Sequence, residues 1–178
     1  MLITGPKNAA YDAVIYHPLA SIDSIRVLIL EPRRQSDSLK ASLKERQLYD
    51  DTTLHKALWY CWSVFDLSSS QRIEIQGSAV RISSNLDEAL RSLRSEQDQR
   101  VLWVDFVCID QTDLLERVSQ INMMGDIYRQ ATKVVIWLRM PTPHPSWESR
   151  YCLSLLAMRS SQREARGSAI LRTTSLLR

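Results

Sequence analysis

The residues best suited to chemistry form an acidic cluster within the segment VDFVCIDQTDLLER, residues 104–117. Its carboxylates belong to Asp105, Asp110, Asp113 and Glu116. Paired carboxylates can hold a ribose or act on a glycosidic bond. A Glu116 side chain that faced a cleft would be suited to either task.

Each of these carboxylates also has a structural explanation. Asp105 is the one charged residue in the apolar run VLWVDFVCI, where it must be paired or strongly hydrogen-bonded if it is buried. Either a site uses it, or a basic side chain such as Arg100 or Arg129 neutralises it. Asp113 and Glu116 have the spacing of a capping box, in which both would close free backbone donors of a helix. Composition alone does not choose between a cap and a catalytic Glu116.

The elements around this cluster form a strand, a helix and a second strand. Residues 101–109 form a near-continuous apolar run, which is typical of a strand buried on both faces. Residues 112–131 have helical periodicity, and KVVIWL at 133–138 predicts another buried strand. The predicted apolar face of the helix consists of Leu114, Val118, Ile121, Met124 and either Ile127 or Tyr128. Ligands bind at the carboxyl edge of an open α/β sheet, which is where the cluster is expected.

The remaining pattern predicts further strands and helices. Strands are expected at 24–32 and 57–65, and the alternation in 72–83 indicates a β-hairpin with Gly77-Ser78 between its arms. Residues 84–97 form an amphipathic helix that Ser84 or Asn85 can cap. The stretch 38–49 is compatible with a short helix or a loop. A further helix is predicted at 146–161, with Trp147, Tyr151, Leu155 and Met158 at near-helical spacing. No clear element follows Ser161.

This order of elements predicts an α/β fold, in which a partly parallel central sheet is flanked by helices and carries a β-hairpin insertion. The expected organisation is an extended lead-in over 1–24, an α/β domain over 25–139 and a Pro-rich loop with a helix over 140–161. Residues 162–178 are expected to form a disordered tail.

Bulk composition excludes several classes of function. The 178 residues carry a net charge of +3 without the clustered basic surface that favours nucleic acid. The three cysteines are widely spaced and form no zinc or redox motif, which indicates a reducing interior, and we expect a cytoplasmic protein. No signal peptide or membrane span is apparent. Phosphate-binding glycine motifs are absent, so that no nucleotide cofactor is expected. The wide spacing of the cysteines means that no metal is expected either.

The chain resembles the fungal heterokaryon-incompatibility (HET) domain family over about residues 11–139. The block HKALWYCWS at 55–63 matches the family's Y-x-A-L-S-Y-x-W-G, and 85–94 matches N-L-x-x-A-L-x-x-L-R. The strongest block is LWVDFVCIDQTDLLER at 102–117, against L-W-I-D-A-I-C-I-N-Q-x-D-x-x-E-R. Residues 124–138 match a final block that ends in V-x-V-W-L-G. The blocks occur in the family's order and spacing.

The chain departs from the family pattern at several positions. Trp59 stands for the usual Ser, Ser63 for Gly, Asp110 for Asn and Arg139 for Gly. These positions fall where a site or a tight turn would lie. The family domain also normally continues with more helices, so that a truncated or decaying copy is one interpretation of this chain.

The resemblance implies non-self recognition between fungal individuals and programmed cell death on cell fusion. The family is distantly similar to TIR domains, which have a flavodoxin-like α/β fold and signal by self-association. Some TIR domains cleave NAD with a helical glutamate. Carried over to this chain, that chemistry would assign Glu116 and Asp105 as catalytic residues. Asp110 and Gln111 would then be the residues that bind the NAD substrate.

We therefore expect a death-signalling module that acts by protein–protein association, with protein partners and possible self-association. Nucleic acid, membrane and metal are not expected as partners. One alternative is an NAD-cleaving hydrolase on the same scaffold, and another is a non-functional remnant of the family. The departures at the Ser position (Trp59) and the Gly positions (Ser63 and Arg139) favour the module or the remnant over the enzyme.

Overall fold

The computed structural model describes residues 15–50, 54–60, 70–138 and 169–173. Within these residues, eight strands form one sheet and three helices are present. The strands are β1 (Ser24–Leu30), β2 (Leu39–Gln47), β3 (Lys56–Tyr60), β4 (Arg72–Ile75), β5 (Ser78–Arg81), β6 (Arg100–Trp103), β7 (Lys133–Leu138) and β8 (Ala169–Thr173). The helices are α1 (Ser84–Leu93), α2 (Asp105–Cys108) and α3 (Leu114–Gln130).

The sheet is mixed, with strand order β5-β4-β2-β1-β6-β3-β7-β8. Strands β6, β3, β7 and β8 are parallel to one another, whereas β1 pairs antiparallel with both β2 and β6. The hairpin β4–β5 joins the edge beside β2. The predicted α/β class is therefore confirmed, including its partly parallel sheet and its hairpin.

Strand β1 lies inside the sheet, and all seven of its residues are buried. Its branched apolar side chains suit a pleated surface that is covered on both faces. The one charged residue of β1 is Arg26, which is only 4% exposed. A charge at this depth must find a partner, and Arg26 finds one in α3.

Strand β2 occupies the stretch for which the sequence predicted a short helix or a loop, so that prediction was wrong. Leu39, Ala41 and Leu43 are buried, and the residues between them are more exposed. This alternation has the period of two that a strand requires. The seven-residue pairing with β1 stabilises the strand, a tertiary contact that helical periodicity does not report.

The predicted β-hairpin is present, but its turn lies one residue earlier than expected. Gln76 and Gly77 form the turn, with φ of 50° and 84°. Two successive residues with positive φ are typical of the tight turns that match the twist of a hairpin. Gly77 can adopt this backbone conformation because it has no Cβ.

Helix α1 is amphipathic as predicted. Leu86, Ala89 and Leu90 have no exposed surface. The cap, however, is Ser83 rather than Ser84 or Asn85, because the Ser83 hydroxyl accepts the Leu86 N–H at 3.2 Å. Trp137 of β7 donates its indole N–H to Asn85 at 3.1 Å, which places α1 on the face of the sheet that carries Trp137.

Strand β6 is shorter than predicted, because the chain leaves it at Trp103 and turns into α2. The prediction of one strand over 101–109 was therefore wrong. The Asp105 carboxylate accepts the adjacent Phe106 N–H at 2.7 Å, and an acidic group in the first turn is favoured by the helix dipole. Cys108 ends α2 in the core, and burial raises the pKa of its thiol to about 12.

Helix α3 begins after Asp113, as the sequence predicts, but only the second half of its predicted apolar face is buried. Leu114, Val118 and Ile121 are 52–61% exposed. The residues buried against the sheet are Gln120, Ile127 and Tyr128. Polar contacts of α3, described below, orient the helix in this way.

Two sequence expectations concern the end of the chain. The predicted helix at 146–161 lies outside the described residues. Strand β8 pairs with β7 and falls within 162–178, where the sequence indicated no element. Within the described ranges, no helix has the length and apolar character needed to cross a membrane.

Candidate functional site

Glu116, in the first turn of α3, forms the centre of the acidic cluster and is engaged from two sides. Its carboxylate pairs with the guanidinium of Arg26 in β1 through both oxygens, one of them at 2.9 Å. The side chains of Arg26 and Glu116 are 5% and 9% exposed. The backbone N–H of Asp110 donates to the same carboxylate at 2.7 Å. These contacts join β1, the loop after α2 and the start of α3.

The other contacts of Arg26 complete its surroundings. Its guanidinium donates to the backbone carbonyls of His17 and Cys108. It also lies 5.1 Å from the centre of the Tyr16 ring, a cation–π geometry. Tyr16 is fixed in turn by its hydroxyl, which donates to the Val107 carbonyl at 3.0 Å. A planar guanidinium with several fixed donors suits such a buried bidentate contact.

The cap of α3 is supplied by Asp113. Its carboxylate accepts the N–H groups of Leu115 and Glu116 at 2.8 and 3.1 Å. The predicted N-cap is thus confirmed. Glu116 binds the Asp110 N–H and Arg26 instead of forming the predicted second half of a capping box with Asp113.

The remaining predicted site residues lie in the loop between α2 and α3. The Asp110 carboxylate accepts from the N–H and the hydroxyl of Thr112, at 2.8 and 2.7 Å. The Gln111 amide donates to the backbone carbonyls of Asp105 and Ile109, at 3.1 and 3.3 Å. The structure therefore joins the four predicted residues as two pairs, because the Asp110 N–H binds the Glu116 carboxylate and the Gln111 amide binds the Asp105 carbonyl. The assignment of Asp105 and Glu116 to catalysis and of Asp110 and Gln111 to NAD binding stays a prediction.

A shallow cleft of about 310 Å³ lies beside the start of α3. Residues of the lead-in and of α3 line it: Pro18, Leu19, Ser21, Ile22, Asp113, Leu115, Glu116, Ser119 and Gln120. Gln120 is 1% exposed and donates to the Ser24 carbonyl at 2.9 Å. Among the described contacts, its amide oxygen has no hydrogen-bond partner.

The far end of α3 is fastened to β3 through His55. The imidazole Nε2 lies 3.1 Å from the Ile127 carbonyl, and Thr132 donates both its N–H and its hydroxyl to the His55 carbonyl. Tyr128 packs its ring edge-on against Trp103, with the ring centres 5.5 Å apart. Helix α3 is thus held at both ends by polar groups that meet the sheet.

Sequence reasoning did not identify Arg26 as the partner of this cluster. The basic residues that it proposed for Asp105 were Arg100 and Arg129, and Arg129 pairs with Asp126 on the surface of α3. A usable signal existed, because Arg26 is the one charge inside the apolar run SIRVLIL. The reasoning applied to Asp105 would have predicted a buried carboxylate partner for Arg26.

The bonds of Glu116 are better suited to fixing the loop after α2 against β1 than to proton transfer. Both oxygens of Glu116 bind the Arg26 cation, and one also accepts a backbone N–H, so that proton transfer by this carboxylate would have to break charge-assisted bonds. In the part of the chain that the structure describes, no three His, Cys, Asp or Glu side chains form a group that could hold a metal ion.

Comparison with known proteins places this site within a family. The family model described as "Heterokaryon incompatibility protein (HET)" matches residues 55–174. The chain is also 35% identical over 95 residues to "Heterokaryon incompatibility protein 6, OR allele" of Neurospora crassa. That alignment covers 46% of this chain and 14% of the longer relative. No solved structure matches the chain. Since the family model covers more than half of the chain and includes the acidic cluster, the protein belongs to the heterokaryon-incompatibility (HET) family.

Proposed function

We propose that the chain is a protein-association module of heterokaryon incompatibility. In this role it takes part in non-self recognition and programmed cell death by binding protein partners and further copies of itself. It makes contacts and carries out no chemical step of its own. Its site of action is the cytoplasm of a filamentous fungus.

The bonding of Glu116 is the observation that carries this proposal. A catalytic carboxylate needs an oxygen that can reach substrate, whereas Glu116 holds Arg26 with both oxygens and the Asp110 N–H with one. Releasing it would leave Arg26 buried without its counter-ion, which is costly in a protein interior. The acidic cluster therefore supports the backbone, and its role in signalling is to maintain the shape that partners bind.

A second candidate function is cleavage of NAD at its glycosidic bond. The cleft beside α3 favours it, because Glu116 lines this cleft together with the polar groups of Ser21, Asp113 and Gln120. In this case Glu116 would exchange Arg26 for substrate and stabilise the positive charge that develops as nicotinamide leaves.

One experiment distinguishes the two functions. Purified chain is incubated with NAD, and nicotinamide release is measured beside two variants, Glu116→Gln and Asp105→Asn. Glu116→Gln removes the charge but keeps an oxygen that can accept the Asp110 N–H. It is therefore expected to disturb the fold less than Glu116→Ala. We expect no nicotinamide above the buffer blank from any of the three proteins. Release by the unmodified chain that is lost in Glu116→Gln would replace the association module with the enzyme.

Association is measured separately by sedimentation velocity over a wide range of protein concentrations. We expect the average mass of the unmodified chain to rise with concentration. Arg26→Lys keeps the positive charge opposite Glu116 but removes the bidentate geometry of the ion pair, and it should weaken this association. A chain that stays monomeric throughout, with wild-type and variant alike, would contradict the proposal and favour a non-functional remnant.

A further inference from the structure

The cleft beside α3 has polar acceptors along one wall. Asp113, Glu116 and Gln120 have the spacing of one helix face, and all three line the cleft. They lead from the exposed start of α3 to Gln120, which is 1% exposed. The opposite wall is formed by residues of the lead-in segment 18–22. The cleft therefore runs from the surface to a buried amide.

Gln120 brings an unsatisfied acceptor to the floor of this cleft. Its amide nitrogen donates to the Ser24 carbonyl at 2.9 Å, and because a carbonyl only accepts, the orientation of the amide is fixed. Among the described contacts, the amide oxygen has no hydrogen-bond partner. A buried acceptor without a partner is costly, and a ligand that brings an N–H donor to it removes this cost.

Asp113 adds negative charge near the mouth of the cleft. Both backbone N–H groups that its side chain caps bind the Oδ1 atom, so that among the described contacts Oδ2 stays open to a ligand. Glu116 adds little net charge, because Arg26 neutralises its carboxylate. The described residues that line the cleft include no basic side chain. A cationic donor is therefore favoured over a neutral one.

The mouth of the cleft also carries apolar side chains. Ile22 of the lead-in and Leu115 of α3 line it from opposite walls, and they are 75% and 82% exposed. The lead-in wall is fixed to β2, because the Ala20 N–H donates to the Glu45 carboxylate at 2.8 Å. A wall that is already ordered lowers the entropic cost of binding. The cleft is thus suited to a cation that is carried on an apolar surface.

We propose that this cleft binds an arginine side chain of a partner protein, in a segment where apolar residues flank the arginine. The guanidinium donates to Asp113 and to the Gln120 oxygen, while the flanking side chains cover Ile22 and Leu115. Arginine fits better than lysine, because its planar group presents five donors and is more weakly hydrated. The inference rests on the proposed function of protein association, for which it names the group that the partner supplies.

Titration of the full chain with short blocked peptides tests the proposal. The probe is acetyl-Leu-Arg-Leu-amide, and the matched control replaces its arginine by citrulline, which has nearly the same shape but no charge. Binding is followed by NMR through the backbone N–H signals of Ser119 and Gln120. We expect a saturable shift with the arginine peptide and at least about tenfold weaker binding of the citrulline peptide.

Three variants locate the site of binding. Asp113→Asn keeps an oxygen that can cap α3 but removes the charge, and it should weaken binding of the arginine peptide by about five- to tenfold. Asp98→Asn changes the net charge equally outside the cleft and should leave binding unchanged. Gln120→Leu removes the acceptor oxygen and should weaken binding. If Gln120→Leu unfolds the chain because the bond to Ser24 is lost, the contrast between Asp113→Asn and Asp98→Asn decides.

Three results would overturn the proposal. Equal binding of the arginine and citrulline peptides would mean that the cleft makes apolar contacts alone. The same affinity in Asp113→Asn and Asp98→Asn would place the arginine elsewhere. Blocked arginine that binds as tightly as the tripeptide would identify a site for a small cation instead of a protein segment.

Failure of this inference is distinct from failure of the proposed function. A chain whose average mass rises with concentration in sedimentation, but whose signals do not shift with the arginine peptide, would lose the cleft as a docking site and keep its role as an association module. A chain that binds the peptide and stays monomeric would keep the cleft and lose self-association.

Discussion

Helix α1 packs on the sheet through Leu86, Ala89 and Leu90, all fully buried, whereas α3 places Glu116 and Gln120 against its surroundings. The two helices lie in the same chain and meet the same sheet. Yet α1 buries the apolar face that its periodicity predicts, whereas the first half of α3 exposes its apolar face. The apolar side chains that α3 would be expected to bury, such as Val118, are exposed instead.

Polar bonds account for this difference. Glu116 must reach Arg26, and Gln120 must reach the Ser24 carbonyl, because both partners are buried in or beside β1. An unpaired buried charge costs about 3–5 kcal/mol, which is comparable to the roughly 1.5–3 kcal/mol that each of two aliphatic side chains loses when it is left in water. The orientation of a helix can therefore be fixed by two or three buried polar contacts, and the apolar face then needs a separate partner.

Among the changes that test this difference between α1 and α3, the largest loss of stability is expected at the ion pair of Arg26 and Glu116. Glu116→Ala leaves Arg26 buried without a counter-ion, and we expect the free energy of unfolding to fall by about 3–5 kcal/mol. Chemical denaturation at neutral pH measures the change. A loss below about 1 kcal/mol would show that α3 is held by its apolar residues after all.

The paired replacement Arg26→Met with Glu116→Leu is the control for this prediction. It removes both charges and fills their volume with apolar groups, so it should recover most of the stability lost in Glu116→Ala. If the double variant is no more stable than the single one, the pair contributes through its geometry and not through the penalty of an isolated charge.

The second prediction compares a leucine from each helix. Leu90→Ala in α1 empties a site with no exposed surface, and we expect a loss of about 2–5 kcal/mol. Leu115→Ala in α3 removes a side chain that is 82% exposed and should change stability by no more than about 0.5 kcal/mol. Thermal and chemical denaturation of both variants check the contrast. Comparable losses would mean that the outer side of α3 is packed as closely as α1.

The third prediction concerns the caps of the same two helices. Asp113 accepts two backbone N–H groups and Ser83 accepts one. We expect Asp113→Ala to cost about 1–2 kcal/mol and Ser83→Ala to cost about 0.5–1 kcal/mol. Asp113→Asn retains the acceptor oxygen and should keep most of the stability. An Asp113→Ala variant as stable as the unmodified chain would show that Arg26 alone sets the start of α3.

Elements that could be predicted from the sequence are those in which local pattern and burial agree. Strands β1 and β7, the hairpin and α1 bury the side chains that their periodicity indicates. Helix α3 was also predicted in place, because its cap and its helical periodicity are local signals, although the first half of its predicted apolar face is exposed. The acidic cluster was predicted where it lies because Asp105, Asp110 and Glu116 adjoin a strand end.

The bonds that fix this cluster could not be predicted, because they join residues far apart in the chain. Arg26 and Glu116 are separated by 90 positions, and no local pattern pairs them. Strand β2 was missed for a related reason, since its pairing with β1 decides between conformations that its own residues leave open. The early end of β6 coincides with Asp105, the first residue of α2, whose carboxylate accepts the Phe106 N–H.

The smallest effect is expected at Lys56, the first residue of β3. Its charged neighbours Arg100 and Lys133 have the same sign, whereas Arg26 has a neighbour of opposite charge. Burial lowers the pKa of Lys56, and the nearby charges of Arg100 and Lys133 lower it further. Since this pKa is lower in the folded chain than in the unfolded chain, protonation opposes folding. The penalty is present at neutral pH and disappears as the pH rises through the lowered pKa towards the ordinary lysine value of about 10.4.

Lys56→Gln should therefore stabilise the chain at neutral pH, by no more than about 0.5 kcal/mol because solvent and salt screen this partly exposed group. The gain should shrink in 1 M salt and again at alkaline pH. Lys40→Gln is the matched control, because Lys40 pairs with Glu74 at 2.8 Å and its loss should leave stability unchanged or lower. Opposite signs for the two lysines, measured by thermal denaturation, would extend the contrast between paired and unpaired charges from α3 to the sheet. Stability changes of the same sign in both variants would confine that contrast to the buried ion pair of Arg26 and Glu116.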